Sequence, residues 1–249
     1  MDKFEPFDKI EWCGYKWIKR PFWGDNHPDE KNSWFDKDCT EIDGDNNIIL
    51  NIKKNPKMCD VLGQGQIMKE FAKGFVRTTE EFKYGTFEWE MKVPEGKYLW
   101  PALWLASDYS WPPEIDCMEG WSGTSPKYIK KLLWRNIFPT MHWSENCDSK
   151  NGKHIQEGKS RVWRCWLKCN DFDKYKIVWT PDYVDIFYNG HKVKRFNNKE
   201  MLEHMNKPEV KMHAIMSVSF HGRFEETYDE IGVKNKPMVV KSFKYTPLQ

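Results

Sequence analysis

The sequence has little that would carry a chain across a membrane or into an oxidising compartment. No apolar run is long enough to span a bilayer. The opening Met1-Asp2-Lys3-Phe4-Glu5-Pro6-Phe7-Asp8-Lys9 is charged and broken by proline, unlike the apolar core of a secretory leader. Asn-x-Ser/Thr acceptors are absent, so nothing marks a glycosylated product. The 7 cysteines are odd in number and scattered without a framework spacing, which leaves at least one unpaired within the chain. Cys165 and Cys169 are separated by three residues with no second pair beside them, so free thiols are expected rather than a zinc clip. Charge of one sign is missing too. The 39 basic and 37 acidic residues leave a formal +2, too little to steer the chain towards nucleic acid or an anionic membrane. Repeats, low-complexity tracts and Pro/Ser-rich linkers are lacking, so residues 1–249 read as one domain, with 1–45 an N-terminal segment packed upon it. A monomer is expected.

Aromatic rings are what the chain has in quantity: 14 Trp, 10 Tyr and 15 Phe in an otherwise polar sequence. Rings in that number offer stacking surfaces, although most of the tryptophans are expected to fill a core. Period-two alternation dominates. Asn47–Ile52, Tyr84–Val93, Thr140–Trp143, Lys174–Thr180, Tyr183–Tyr188, Lys192–Phe196, Lys211–Phe220 and Met238–Tyr245 read as strands. Tyr98–Ala106 is nearly continuous apolar sequence, the pattern of a strand buried on both faces. Asn189-Gly190 is the strongest hairpin signal. Only Asn198–Met205 reads as a short helix. Many short strands with regular turns predict an all-β jelly-roll sandwich of two antiparallel sheets.

One segment breaks the apolar pattern. Pro113-Glu114-Ile115-Asp116-Cys117-Met118-Glu119-Gly120 places three carboxylates within six residues of a strand-like run. In a regular strand Glu114 and Asp116 share a face while Glu119 lies on the other. A β-bulge at Cys117-Met118 returns Glu119 to the face of the first two acids and leaves Cys117 and Met118 for the interior. Two glutamates with a carboxylate between them are the parts of retaining glycoside hydrolysis, in which one attacks and the other donates a proton. Three carboxylates at close quarters do not all ionise cheaply, so Glu119 is expected to hold a proton and Asp116 to hydrogen-bond Glu114.

The chain resembles family 16 glycoside hydrolases from Gly74-Phe75-Val76-Arg77 through Tyr84-Gly85-Thr86-Phe87-Glu88, Pro94-Glu95-Gly96, Trp100-Pro101-Ala102-Leu103-Trp104 and Glu114–Glu119. The resemblance resumes at Trp179–Gly190, so about two-thirds of the chain is covered in the family's order. The spacing resembles the bulged branch of laminarinases, agarases and carrageenases. It implies a concave cleft that cuts within a polysaccharide, with Glu114 as nucleophile, Glu119 as acid/base and Asp116 assisting. It further implies that Trp104 and Trp111 line the cleft, with Trp100 and Trp121 as weaker candidates. His142 resembles a cleft histidine that donates to substrate or to Glu119. No cofactor and no catalytic metal are implied. The family's structural calcium is disfavoured, because Lys241 stands where an Asp ligand is usual.

The preferred substrate is a β-1,3 or mixed β-1,3/1,4 glucan. A sulfated or agar-type galactan is the enzyme alternative, carried by Lys150, Lys153, Lys159, Arg161, Arg164 and Lys168, with which Glu145, Asp148, Glu157 and Asp171 interleave. A non-catalytic carbohydrate-binding or virion surface protein is the alternative of another class. Location stays open, since such a substrate lies outside cells while no export leader is read.

Overall fold

A computed structural model describes residues 9–26, 32–61, 63–94, 99–120, 134–135, 137–158, 162–163, 167, 171–220 and 237–249. Two large antiparallel sheets face each other. The first runs β1 (Lys9–Trp12), β2 (Tyr15–Ile18), β8 (Phe75–Thr78), β19 (His213–Phe220), β10 (Leu99–Ala106), β11 (Glu114–Gly120), β13 (Ile137–Ser144) and β14 (His154–Gly158). The second runs β18 (His191–Phe196), β17 (Val184–Tyr188), β16 (Asp173–Trp179), β9 (Gly85–Lys92), β20 (Met238–Thr246), β5 (Ile48–Leu50) and β4 (Thr40–Ile42). A smaller sheet joins β3 (Ser33–Phe35), β7 (Gly65–Lys73) and β6 (Ile52–Val61), and β12 (Trp134–Arg135) pairs β15 (Val162–Trp163). Neighbours in space are often far apart in sequence, which is the jelly-roll form of β-sandwich.

Alternation explains the packing. On β9, Phe87, Trp89 and Met91 are buried while Glu88 is exposed. From the first sheet Leu103, Leu105, Ile115 and Met141 join the same core, together with Trp12, Trp17, Trp143 and Trp179. Each fully buried large side chain contributes about 1.5–3 kcal/mol relative to exposure, so these tryptophans are core filling as expected. Asn189 and Gly190 both have positive φ, 48° and 82°, the type I′ geometry that matches strand twist between β17 and β18. The one described α-helix, α1 (Lys199–Asn206), is capped by the Asn198 side chain, which accepts from the backbone N–H groups of Glu200 and Met201. Lys83 closes its other end, Nζ donating to the carbonyls of Met205, Lys207 and Val210.

Two expectations are corrected. The strand anticipated over Asn47–Ile52 stops at Leu50, and Ile52 instead begins the ten-residue β6. Lys53 to Met58 are all exposed, and a bulge around Pro56 interrupts the pairing with β7, so this stretch of β6 carries no apolar alternation to read. Strand β10 is fully buried on its core face, while on the opposite face Ala102 and Ala106 are buried and Trp100 and Trp104 only half-buried.

Candidate active site

The acids sit on β11, and the bulge is visible against both neighbours. On β10, Leu103 opposes Met118 while the next residue, Trp104, opposes Asp116, leaving Cys117 unopposed. On β13, Asp116 opposes Thr140 and Glu119 opposes Phe138, three steps on one strand against two on the other. Glu114, Asp116 and Glu119 therefore face His142, Thr140 and Phe138, alternate residues that share one side of the sheet. Ile115, Cys117 and Met118 are fully buried in the core on the other side. Tyr188, from the second sheet, donates its hydroxyl to the Cys117 carbonyl at 2.8 Å, so the extra residue is tied across the sandwich.

Each glutamate is held by an indole. Trp111 Nε1 donates to Glu114 Oε2 at 2.9 Å, and Trp100 Nε1 donates to Glu119 Oε1 at 3.0 Å. Thr140 Oγ1 donates to Glu119 Oε2 at 2.8 Å. Trp104 lies beside Asp116, and its Nε1 donates to Ser217 Oγ on β19 at 3.2 Å. Its ring packs with Trp23 and Phe75, at centroid distances of 6.0 and 6.3 Å. Trp111 is 50 % exposed, so part of its ring is open to a ligand. Trp121 lies outside the described residues, as do Cys165, Cys169, Lys159, Arg161, Arg164 and Lys168.

His142 is expected to donate to substrate or to Glu119; among the acids its nearest neighbours are instead Asp116 and then Glu114. Its Nε2 is 3.2 Å from Asp116 Oδ2 and 3.6 Å from Glu114 Oε1, while its Nδ1 meets His154 Nε2 at 2.8 Å. The reason is register: His142 is opposite Glu114, and Thr140 and Phe138 are the residues nearest Glu119. His154 stacks on His142, with centroids 5.1 Å apart, and its ring packs tilted against Trp111 at 4.9 Å. Burial, and then the charge of His142, push the His154 pKa below its usual value.

All three carboxyls are nearly out of solvent, Asp116 and Glu119 being 3 % and 7 % exposed. Burial raises the Glu114 pKa well above the carboxylate range, and Asp116 adds to the rise while His142 and Trp111 oppose it. Burial, followed by the charge of Glu119, raises Asp116 well above its range. Glu119 is raised by burial, and the Thr140, His142 and Trp100 contacts limit the rise. All three carboxyls are thus pushed towards their protonated forms, Glu119 among them. A proton on Glu119 is accommodated, since a threonine hydroxyl accepts as well as donates.

Thr140, Ser217, His154, Tyr188 and the Phe22-Trp23 pair were not legible as site residues. Only Thr140 carried any signal, its even spacing from His142 within a strand.

A family model described as glycosyl hydrolases family 16 matches residues 28–234. The chain belongs to glycosyl hydrolases family 16. The glucan endo-1,3-beta-glucosidase A1 of Niallia circulans is 25 % identical over 174 residues, 63 % of this chain and 23 % of that protein. A glucan endo-1,3-beta-glucosidase of Cryptopygus antarcticus is 30 % identical over 120 residues, 46 % of this chain and 40 % of that protein. The chain thus spans well under half the length of these curated relatives. The laminarinase catalytic domain of Thermotoga maritima superposes with a TM-score of 0.66 at 18 % identity, covering 100 % of this chain and 95 % of that one. Porphyranase B of Zobellia galactanivorans gives 0.71 at 13 % identity, covering 96 % and 88 %. At such identities the two structures carry the family's sandwich fold. The family's structural calcium does not fit here: Lys241 Nζ occupies the last-strand position, 3.1 Å from Glu90 Oε1, and an ammonium there repels a cation.

Proposed function

We propose that the chain is a retaining endo-glycoside hydrolase of β-1,3 or mixed β-1,3/1,4 glucan. The observation that carries this is the bulge that sets Glu114, Asp116 and Glu119 on one face of β11. In the first step ionised Glu114 attacks the anomeric carbon, and Glu119 gives its proton to the departing glycosidic oxygen; a glycosyl ester forms as the sugar–oxygen bond breaks. In the second step Glu119 takes a proton from water, whose oxygen displaces Glu114. Asp116 and His142, both beside Glu114, position it and take up the proton it releases on becoming a nucleophile. The Trp111 N–H stabilises the ionised form of Glu114, and positive charge developing at the anomeric carbon acts in the same direction. Trp104 and Trp111 offer apolar ring faces to the sugars on either side.

The glucan choice rests on relatives whose names include glucan endo-1,3-beta-glucosidase and beta-glucanase. Reducing-sugar release from laminarin, mixed-linkage glucan, agarose and carrageenan, with the first-formed anomer read by proton NMR, tests the proposal. Hydrolysis of a glucan with the β-anomer first is expected. Activity on the galactans alone would overturn the substrate; glucan binding with no cleavage on long incubation would overturn the enzyme.

A further inference from the structure

A second cluster of donor groups lies apart from the three acids. His213 opens β19, and its register partner on β10 is Ala106, which on its other side pairs with Glu114. Two strand spacings therefore separate His213 from the nucleophile candidate. Asp108 follows the end of β10, and an isolated bridge between Phe82 and Met212 draws Glu81 alongside His213. One donor atom from each of Glu81, Asp108 and His213 lies within 4.8 Å of the others.

The imidazole is what turns this cluster into a site. His213 is 3 % exposed. Its Nδ1 meets the Glu80 carbonyl at 3.2 Å, and because a carbonyl only accepts, Nδ1 carries the hydrogen and Nε2 presents a lone pair. That Nε2 is buried with no hydrogen-bond partner. Asp108 Oδ2 stands 3.5 Å from it, beyond the usual N–H···O range. Two electron-rich atoms facing each other at that distance repel unless a positive ion joins them. A second proton on the ring would join two of these atoms, whereas a metal ion would join the Glu81 carboxylate to them as well. The Arg77 guanidinium is turned to the carbonyls of Arg20 and Thr78, and two carboxylates outweigh its charge.

We propose that Glu81, Asp108 and His213 bind a divalent transition-metal ion of the Zn2+ class. One imidazole and two carboxylates suit zinc and its neighbours, whereas calcium and magnesium take oxygen ligands only. A backbone carbonyl orienting the imidazole through its other nitrogen is the support such ligands usually have. Zinc–ligand distances of about 2.0–2.2 Å require the donors to draw together slightly, and both carboxylates are on exposed residues that have room to move. Three protein ligands leave a fourth position for water. A bound ion would staple the ends of β8, β10 and β19 together.

The test is titration of the chelator-stripped full chain with Zn2+ alone, by calorimetry, repeated with Co2+ so that visible absorption reports the ligand type. One ion per chain is expected with no thiolate charge-transfer band. Asp108→Asn and Glu81→Gln should each weaken binding at least tenfold, His213→Gln should abolish it, and Asp116→Asn should leave it unchanged. Binding that survives Asp108→Asn and Glu81→Gln, or that disappears when the cysteines are blocked or Asp116 is replaced, overturns the proposal. So does an NMR spectrum in which His213 is a doubly protonated imidazolium at neutral pH and Zn2+ is not bound. If His213→Gln does not fold, the two carboxylate variants on exposed turns still decide the matter.

Discussion

Replacing Tyr188 with Phe removes one oxygen atom, from the core rather than from the site. That oxygen donates to the Cys117 carbonyl at 2.8 Å, and burial pushes the tyrosine pKa well above its usual value, so it remains a donor at any working pH. Tyr188 and Cys117 are both fully buried, and no water can replace the lost partner. Stranding a buried carbonyl costs about 1–3 kcal/mol. For a chain of this size the melting temperature falls by roughly 2–4 °C for each kcal/mol. The orphaned carbonyl belongs to the bulge residue between Asp116 and Glu119, so the bulge has reason to relax towards regular pairing. Displacement of a reacting group by about 1 Å can cost a hundredfold in rate. We expect kcat on laminarin to fall tenfold to a hundredfold with KM nearly unchanged, alongside the thermal loss. A variant that melts within about 1 °C of the parent and turns over at the parental rate would refute the reasoning, since sheet pairing alone would then hold the bulge.

Further outcomes follow from the same geometry. Glu114→Gln should retain less than about one hundredth of the activity with its circular dichroism spectrum unchanged; greater residual turnover would remove Glu114 as nucleophile. Asp116→Asn should raise the melting temperature at pH 8. A carboxyl whose folded pKa is raised stabilises the fold fully below its unfolded value, near pH 4, and loses that contribution as pH climbs through the folded value, so the gain should vanish on acidification. A gain that persists at about pH 4 would contradict this sign. Trp104→Ala should raise KM on laminarin about tenfold, the equivalent of about 1.4 kcal/mol of lost stacking and packing, with the smaller effect on kcat. Excess Ca2+ should leave the melting temperature where it was, and a clear rise would show that Lys241 does not exclude the ion.

The acids were legible because a strand-like run with three carboxylates is chemically expensive, and the only way to bring them to one side is an extra residue. Trp100, Trp104 and Trp111 were legible as rings near that run, but not as indole N–H donors to Glu114, Glu119 and Ser217, which depend on register across three strands. Tyr188 looked like any other buried residue of the Asn-Gly hairpin, since its hydroxyl acts on a backbone atom 71 positions away. Phe22 and Trp23 carried no periodicity, and their place against Trp104 follows from the seating of β1 and β2 at the edge of the first sheet. His142 was legible as a cleft histidine, but its place beside Glu114 and Asp116 depends on the register of β13 against β11, which no local pattern carries.

Strand β10 has one neighbour made immediately after it and one made much later: the Trp104 indole finds Ser217 only 113 positions on. A ribosome that has released β11 has exposed the three acids and half of the sugar platform, but not the strand that covers the other edge of β10. The nascent chain must hold an unpaired, aromatic-rich edge until β19 emerges, the kind of surface that invites association between chains. Such long-range pairing also makes folding slow. Production of this protein should therefore respond to growth temperature and chaperone supply more than to codon choice in its first hundred residues.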